Sequence, residues 1–398
     1  MRFPGFEGEW ETKKLGEIAT NVMYGINAAA TNYDGENQYI RITDIDEQTR
    51  LFCPNPLSSP DGELDNKYLL HKGDILFART GASVGKSYLY NDKDGKVYFA
   101  GFLIRLNVKA EDPYFIFSQT LTEKYQRWVL TMSMRSGQPG INAEEYKLLP
   151  IVTPSIQEQE KISSFLLLID ERIQTQNKII EELEVLKTSV SKKIFSQQLR
   201  FQDNGNVFSS WKKYKLKNIA NRIVEKNSEN NQNVLTISAQ HGLISQLEFF
   251  NKSVAAKNIL GYYLLKKNDF AYNKSYSNGY PMGAIKRLNK YDKGVVSTLY
   301  ICFEFNHSVN KDFMEHYFES GIQNSEIEKV AQEGARNHGL LNIGVSDFFD
   351  ITINLPSIDE QKVIANFLSS LVSKIENEKQ TLSQLNLQKQ FLLKELFI

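Results

Sequence analysis

The closest thing to a ligand-binding signature is Gly81-Ala82-Ser83-Val84-Gly85-Lys86-Ser87. A glycine-rich loop ahead of a Lys-Ser pair can cradle phosphate with its backbone amides. Here one residue is missing between the glycines and no acidic strand motif accompanies it, so the segment reads as a tight turn of small residues. Pro60-Asp61 with Asp65-Asn66-Lys67 has the residue types of a PD…DxK nuclease centre, but the spacing is too tight and the stretch reads as a surface loop. Five histidines (His71, His241, His307, His316 and His338) show no metal-ligand spacing. Cys53 and Cys302 form no CxxC pair, which excludes a zinc ribbon or disulfide framework and suits a reducing compartment. There is no GxGxxG loop, no GxSxG elbow, and no DPPY-like or NPPF-like segment of the kind that holds a flipped adenine. A chain of this size without such chemistry points to binding rather than catalysis.

The scaffold must then be read from its elements. The 398 residues, 41% of them hydrophobic and 12% aromatic, suit two or three domains with sizeable cores. Forty-seven basic residues balance 47 acidic ones, so any contact with nucleic acid must come from local patches. The start, MRFPGFEGEW, lacks the apolar segment of a signal peptide, and no apolar run is long enough to span a membrane. The expected location is the cytoplasm.

An internal repeat organises the chain. PSIQEQEKISSFL (154–166) matches PSIDEQKVIANFL (356–368) at an offset of 202. WETKKLGEIA (10–19) matches WKKYKLKNIA (211–220) at 201, and LHKGDILFAR (70–79) matches LKKNDFAYNK (265–274) at 195. YIRITD (39–44) pairs with VLTISA (234–239), and Arg2-Phe3 with Arg200-Phe201. Four blocks in the same order imply duplication.

Each repeat ends in a helix. Ser155-Ile156-Gln157-Glu158 and Ser357-Ile358-Asp359-Glu360 spell a capping box. Apolar residues then recur at steps of three and four: Ile162, Leu166, Ile169, Ile173, Ile180, Leu183, Val190 and Ile194, and, 202 residues later, Ile364, Leu368, Leu371, Ile375, Leu382, Leu385, Leu392 and Leu396. This is a coiled-coil seam. Helices of about 40 residues span roughly 60 Å. A globule cannot easily return the second helix to the start of the first, so packed helices must run antiparallel. The expected architecture is α+β: two tandem domains, 1–153 and 201–355, related by pseudo-twofold symmetry and separated by a two-helix antiparallel coiled coil, 154–200 and 356–398. Strands are expected at 37–45, 74–79, 86–90, 97–106 and 148–152, and helices at 12–19 and 113–130. The second half repeats this, with strands near 233–238, 269–273, 283–288, 295–305 and 350–355 and a helix near 310–331.

The paired PSIxEQ segments with their helices, the duplicated W…L…IA entry and the KGDILFARTGASVGK turn resemble the specificity subunit of type I restriction–modification systems, over essentially the whole chain. The resemblance implies that each globular half is a target-recognition domain for one half of a bipartite DNA site. It implies that the helices act as a spacer and that two methyltransferase subunits dock against the subunit. No cofactor is then expected in this chain. S-adenosylmethionine belongs to the methyltransferase, which modifies N6 of adenine, and ATP and Mg²⁺ to a motor-nuclease that cleaves unmodified DNA. KGDILFARTGA becomes KNDFAYNKSYS in the second half, so the two domains should contact different half-sites.

On that reading, DNA contacts are sought in polar loops that combine basic, glycine, amide and hydroxyl residues. In the first half these are Tyr24, Arg41, Arg79, Thr80, Lys86, and the loop Arg135-Ser136-Gly137-Gln138-Pro139-Gly140. In the second they are Lys274, Ser275, Tyr276, Asn278, Lys286, and the loop Arg336-Asn337-His338-Gly339. Glu158, Gln159, Glu360 and Gln361, at the helix starts, are expected either to meet the methyltransferase or to serve the helix N-terminus alone. The repeat by itself also fits a duplicated coiled-coil scaffold without DNA specificity, or an enzyme whose site carries no familiar motif.

Overall fold

The computed structural model describes residues 2–134, 138–203, 205–250, 259–331 and 341–397. The chain divides into two compact units, residues 1–177 with 380–398, and residues 178–379. Each unit therefore takes in half of both long helices, Ile156–Phe195 and Ile358–Leu396.

In the first unit, Glu11–Lys14 pairs antiparallel with Pro150–Thr153 and closes the globular part just before the long helix. Between them lies a four-stranded antiparallel sheet, in the order Ala19–Tyr24, Leu103–Val108, Asp74–Ala78, Ser87–Leu89. Alternation along Asp74–Ala78 sends Ile75 and Phe77 to one core, and Leu76 and Ala78 to another beneath Ile40, Ile45, Val97 and Phe99. Both faces are covered, which is why the segment DILFA is continuously apolar after its aspartate. The Ile75–Phe77 face packs on Phe115, Ile116, Tyr125 and Tyr146, and then on the long helices.

The second unit repeats this plan. Lys212–Lys215 pairs with Thr352–Leu355, and the four-stranded sheet runs Ala220–Arg222, Ile301–Phe305, Phe270–Asn273, Ala284–Arg287. The expected long helices of each half are broken in two. Pro113–Gln119 is followed by Glu123–Ser133, whose start is capped by the Thr122 hydroxyl. Lys311–Glu319 is followed by Asn324–Val330 across Gly321, at φ +74°. The expected strand 97–106 likewise divides into Val97–Phe99 and Leu103–Val108 around a tight turn, and of 37–45 only Gln38–Ile40 is a strand. At 12–19, strand precedes a single helical turn, Leu15–Ile18.

The helix seam is as the spacing predicts. In the first unit, Ile162, Leu166, Ile169 and Ile173 share a core with Leu382, Leu385, Leu392 and Leu396, so the start of one helix lies against the end of the other. Asp170 pairs with Lys389 at 2.6 Å along the same contact. In the second unit, Val190 and Ile194 share a core with Ile364, Leu368 and Leu371. The helices pack antiparallel within each unit.

One pair of equivalent positions separates the units electrostatically. In the first, Asp74 is buried, accepts from Asn107 Nδ2 at 2.6 Å and from the His71 amide at 2.8 Å, and lies 3.8 Å from the buried Arg105 guanidinium. By strand register, Asp269, Cys302 and Glu304 occupy the positions of Asp74, Arg105 and Asn107. Asp269 accepts from the Lys266 amide at 2.7 Å but has an acid where its counterpart has an amide. Burial first, and Glu304 in addition, push its carboxyl up to about 6. A carboxyl whose folded pKa is raised favours folding below its unfolded value of about 3.9 and progressively loses that advantage as pH rises to 6. Asp269→Asn, which keeps an acceptor for the amide, is expected to stabilise the second unit by about 2–3 kcal/mol at pH 8 and by little at pH 4. Urea unfolding read through Trp211 measures this, and a gain equal at both pH values contradicts the assignment.

Candidate nucleic-acid interface

One end of the first unit's sheet gathers several of the expected residues. Tyr24 ends its strand, Arg79 and Thr80 follow Asp74–Ala78, and Phe102 precedes Leu103–Val108. The Arg79 guanidinium carbon lies 5.0 Å from the Tyr24 ring centre and 5.7 Å from that of Phe102. Two aromatic faces hold the cation by its quadrupole attraction. Arg79 Nε is buried without a hydrogen-bond partner among the described residues. Tyr24 is fixed in turn, its hydroxyl accepting from the Ala143 amide at 3.1 Å. Thr80 bridges to Gly140, Arg79 accepts from the Ile141 amide at 2.9 Å, and the Gly81 amide donates to Pro139 at 3.1 Å. These bonds bring the 138–140 segment, with the exposed Gln138, beside Arg79. Arg135, Ser136 and Gly137 lie outside the described residues.

The look-alike phosphate loop is a hairpin connection. Gly81 and Gly85 take φ of +77° and +84°, and the Ala78 amide donates to Lys86 at 2.8 Å across the turn. A Cβ at Gly85 would fall 2.6 Å from Val129, so the turn needs glycine there.

In the second unit, Lys274 takes the place of Arg79, and the Leu341 amide donates to its carbonyl at 3.0 Å as Ile141 does to Arg79. Ser275 follows, its amide held by Asn273 Oδ1. Tyr276 is 64% exposed, and Asn278 is exposed on the turn closed by the Ser277–Tyr280 bridge. Arg336, Asn337, His338 and Gly339 lie outside the described residues.

Four groups of expected contacts are placed differently. Lys86 is buried, ion-paired to Glu47 at 2.5 Å and bonded to the Ile45 carbonyl. Lys286 is buried against the Tyr280 ring and paired with Glu319 at 2.5 Å. Neither ammonium is free for a phosphate. Arg41 spends its fork on Asp44, with Nε and Nη2 each 2.8 Å from the carboxylate. Glu158, Gln159, Glu360 and Gln361 are fully buried, which corrects the docking role read for them. Glu158 receives both Nε and Nη2 of Arg2, and Glu360 the same atoms of Arg200. Gln159 and Gln361 accept from the amides of Asp112 and Asn310 and donate to Pro154 and Pro356. The serines cap as expected, but the glutamates turn from the helix end to clamp the start of each repeat.

No group of three His, Cys, Asp or Glu is arranged to hold a metal among the described residues, and no described helix is long and apolar enough to cross a membrane.

Residues 7–185 and 208–387 both match the family model of the type I restriction–modification DNA specificity domain. The chain belongs to the type I restriction–modification DNA specificity family. It is a specificity subunit with two copies of that domain, each copy holding one globular half and much of the helix after it. Over 402 residues it is 23% identical to the type I restriction enzyme MjaVIII specificity subunit of Methanocaldococcus jannaschii, covering 95% of this chain and 89% of that one. Its fold is similar to that of the type I restriction–modification S subunit from M. genitalium, with a TM-score of 0.59, 16% identity, and coverage of 100% and 97%. A chain from a structure of complex assembly and conformational transition in a type I restriction–modification system gives 0.54 at 13% identity, with 98% of both chains covered.

Phe102 is the residue of this sheet end that sequence reasoning passed over. A lone aromatic after glycine in a predicted strand gives no pattern; only the turn that interrupts the strand exposes it.

Proposed function

We propose that each globular half reads one half of a bipartite DNA site, and that the antiparallel helices set the separation of the half-sites and dock two methyltransferase subunits. S-adenosylmethionine then binds the methyltransferase, which modifies N6 of adenine. ATP and Mg²⁺ serve a restriction partner that translocates and cleaves. The observation that carries this reading is one sheet-end arrangement built twice with different side chains, Arg79 over the Tyr24 and Phe102 rings in the first unit and Lys274 at the equivalent position in the second, its carbonyl accepting from the Leu341 amide as that of Arg79 accepts from Ile141. An arginine with no ion pair among the described residues suits bidentate readout of guanine, and the hydroxyl and amide side chains near it suit base edges. Readers on one stiff spacer suit duplex DNA, whose like faces recur about every 34 Å.

The test is long-read mapping of N6-methyladenine in cells that co-express the chain with its cognate methyltransferase. A gapped two-part motif is expected, and exchange of residues 1–153 for those of a relative should change one part alone. An assembled, active complex that methylates without a bipartite motif overturns the reading.

A further inference from the structure

We infer that Phe102 and Leu299 are apolar base-contacting residues, one for each half-site, standing beside the cation that reads or steadies the same half. This rests on the DNA-reading role proposed above.

The two residues occupy one position of the repeat. Antiparallel register pairs Ala78 with Leu103 and Tyr272 with Ile301, which places Phe102 opposite Arg79 and Leu299 opposite Lys274. The same tight turn presents both: the Leu103 amide donates to Ala100 at 2.8 Å, and the Tyr300 amide to Ser297 at 3.1 Å. Each side chain sits at the third position of its turn and points outward, Phe102 being 59% exposed and Leu299 75%. Flanking residues on both strands are buried in the sheet cores, among them Leu103, Ile104, Ile301 and Cys302. A single exposed apolar residue is ordinary on a protein surface. Two at one repeat position, each opposite a basic residue at the end of the same sheet, call for a ligand with an apolar component.

A DNA base offers that component in two forms, the thymine C5-methyl in the major groove and the face of a base at an opened step. The Arg79 guanidinium lies over both rings, its carbon 5.0 Å from the Tyr24 centre and 5.7 Å from that of Phe102, and its Nε is buried without a partner among the described residues. Its terminal nitrogens and the ring edge of Phe102 then meet the same base pair or neighbouring ones.

The experiment uses the purified complex of the full chain with its methyltransferase, and duplexes carrying the mapped site. Phe102→Ala is expected to weaken cognate binding at least tenfold and to blur the first half-site only. Leu299→Ala should do the same for the second. Phe102→Leu should retain most of the affinity, because leucine serves at the equivalent position. Replacing half-site thymines by deoxyuridine weakens the wild type but not the alanine variant if the methyl is the target. A rise in 2-aminopurine emission on binding, with the probe placed away from the adenine to be methylated, that Phe102→Ala abolishes marks an opened step instead. Alanine variants with unchanged affinity and motif, from a wild type that does show a bipartite motif, overturn the inference and leave the DNA-reading role standing. Phe102→Leu as weak as Phe102→Ala also overturns it, because the ring then acts only through Arg79. A wild type without sequence-specific binding removes both.

Discussion

Replacing Arg105 with leucine should destabilise the first unit by about 3–5 kcal/mol, the scale for breaking a buried ion pair by removing one partner. Arg105 is 1% exposed and so is Asp74. Its Nη1 donates to the Leu69 carbonyl at 3.1 Å, and its guanidinium lies 5.2 Å from the Phe99 ring centre. Leucine fills part of the space but leaves a carboxylate without its cation and a carbonyl without its donor. Burial already raises the Asp74 pKa, and Arg105 is among the groups that bring it down. Removing the arginine raises it further, so the variant should lose least stability in mild acid, where Asp74 can bind a proton. Adding Asp74→Asn should restore a large part of the loss at pH 8. Urea unfolding in a Trp211→Phe background, followed by Trp10 and Trp128, isolates this unit. A double variant no more stable than Arg105→Leu alone would show that packing, not charge, is what Arg105 supplies.

Arg79→Ala should reduce preference for the cognate site roughly 10–100-fold, about 1–3 kcal/mol, while leaving the fold intact. Arg79 makes no ion pair among the described residues, and its side chain is held by two rings that alanine leaves able to relax toward each other. Arg79→Lys should not restore recognition. Lysine keeps the charge, so salt-dependent attraction to the backbone survives, but it lacks the planar fork that stacks and bonds bidentately. Competition binding of the methyltransferase complex to duplexes altered at single positions measures the effect. Loss confined to one half-site supports Arg79 as a base reader. Equal weakening on every sequence makes it a phosphate contact, and no change removes it from the interface.

The duplication explains how much of this molecule could be read in advance. Matched blocks at offsets of 195 to 202 carry the entry strands, the sheet strand after the KGD or KND turn, and the helix starts. Those segments are compared with a second copy of themselves, so accident cancels. The seam residues of both helices are all buried or partly buried, because a 3.5-residue period leaves one face to cover. Segments without a clean period were read less well. The expected helices at 113–130 and 310–331 are each two helices, since local caps at Thr122 and a left-handed Gly321 outweigh continuous propensity.

The sequence alone determined that the chain is an α+β duplication with two seam helices, and which loops are polar enough to meet DNA. Only the tertiary structure decided which charges are available there. Lys86 and Arg79 lie seven residues apart in one turn-rich segment, with the same charge and similar neighbours. Yet Lys86 is buried on Glu47, from a distant segment, and Arg79 lies at the sheet end over the Tyr24 and Phe102 rings. Glu158 and Glu360 look like helix caps facing a partner until Arg2 and Arg200 fold back onto them. A charge is free or spent according to what lies within a few ångströms, and that is fixed by residues far away in the chain.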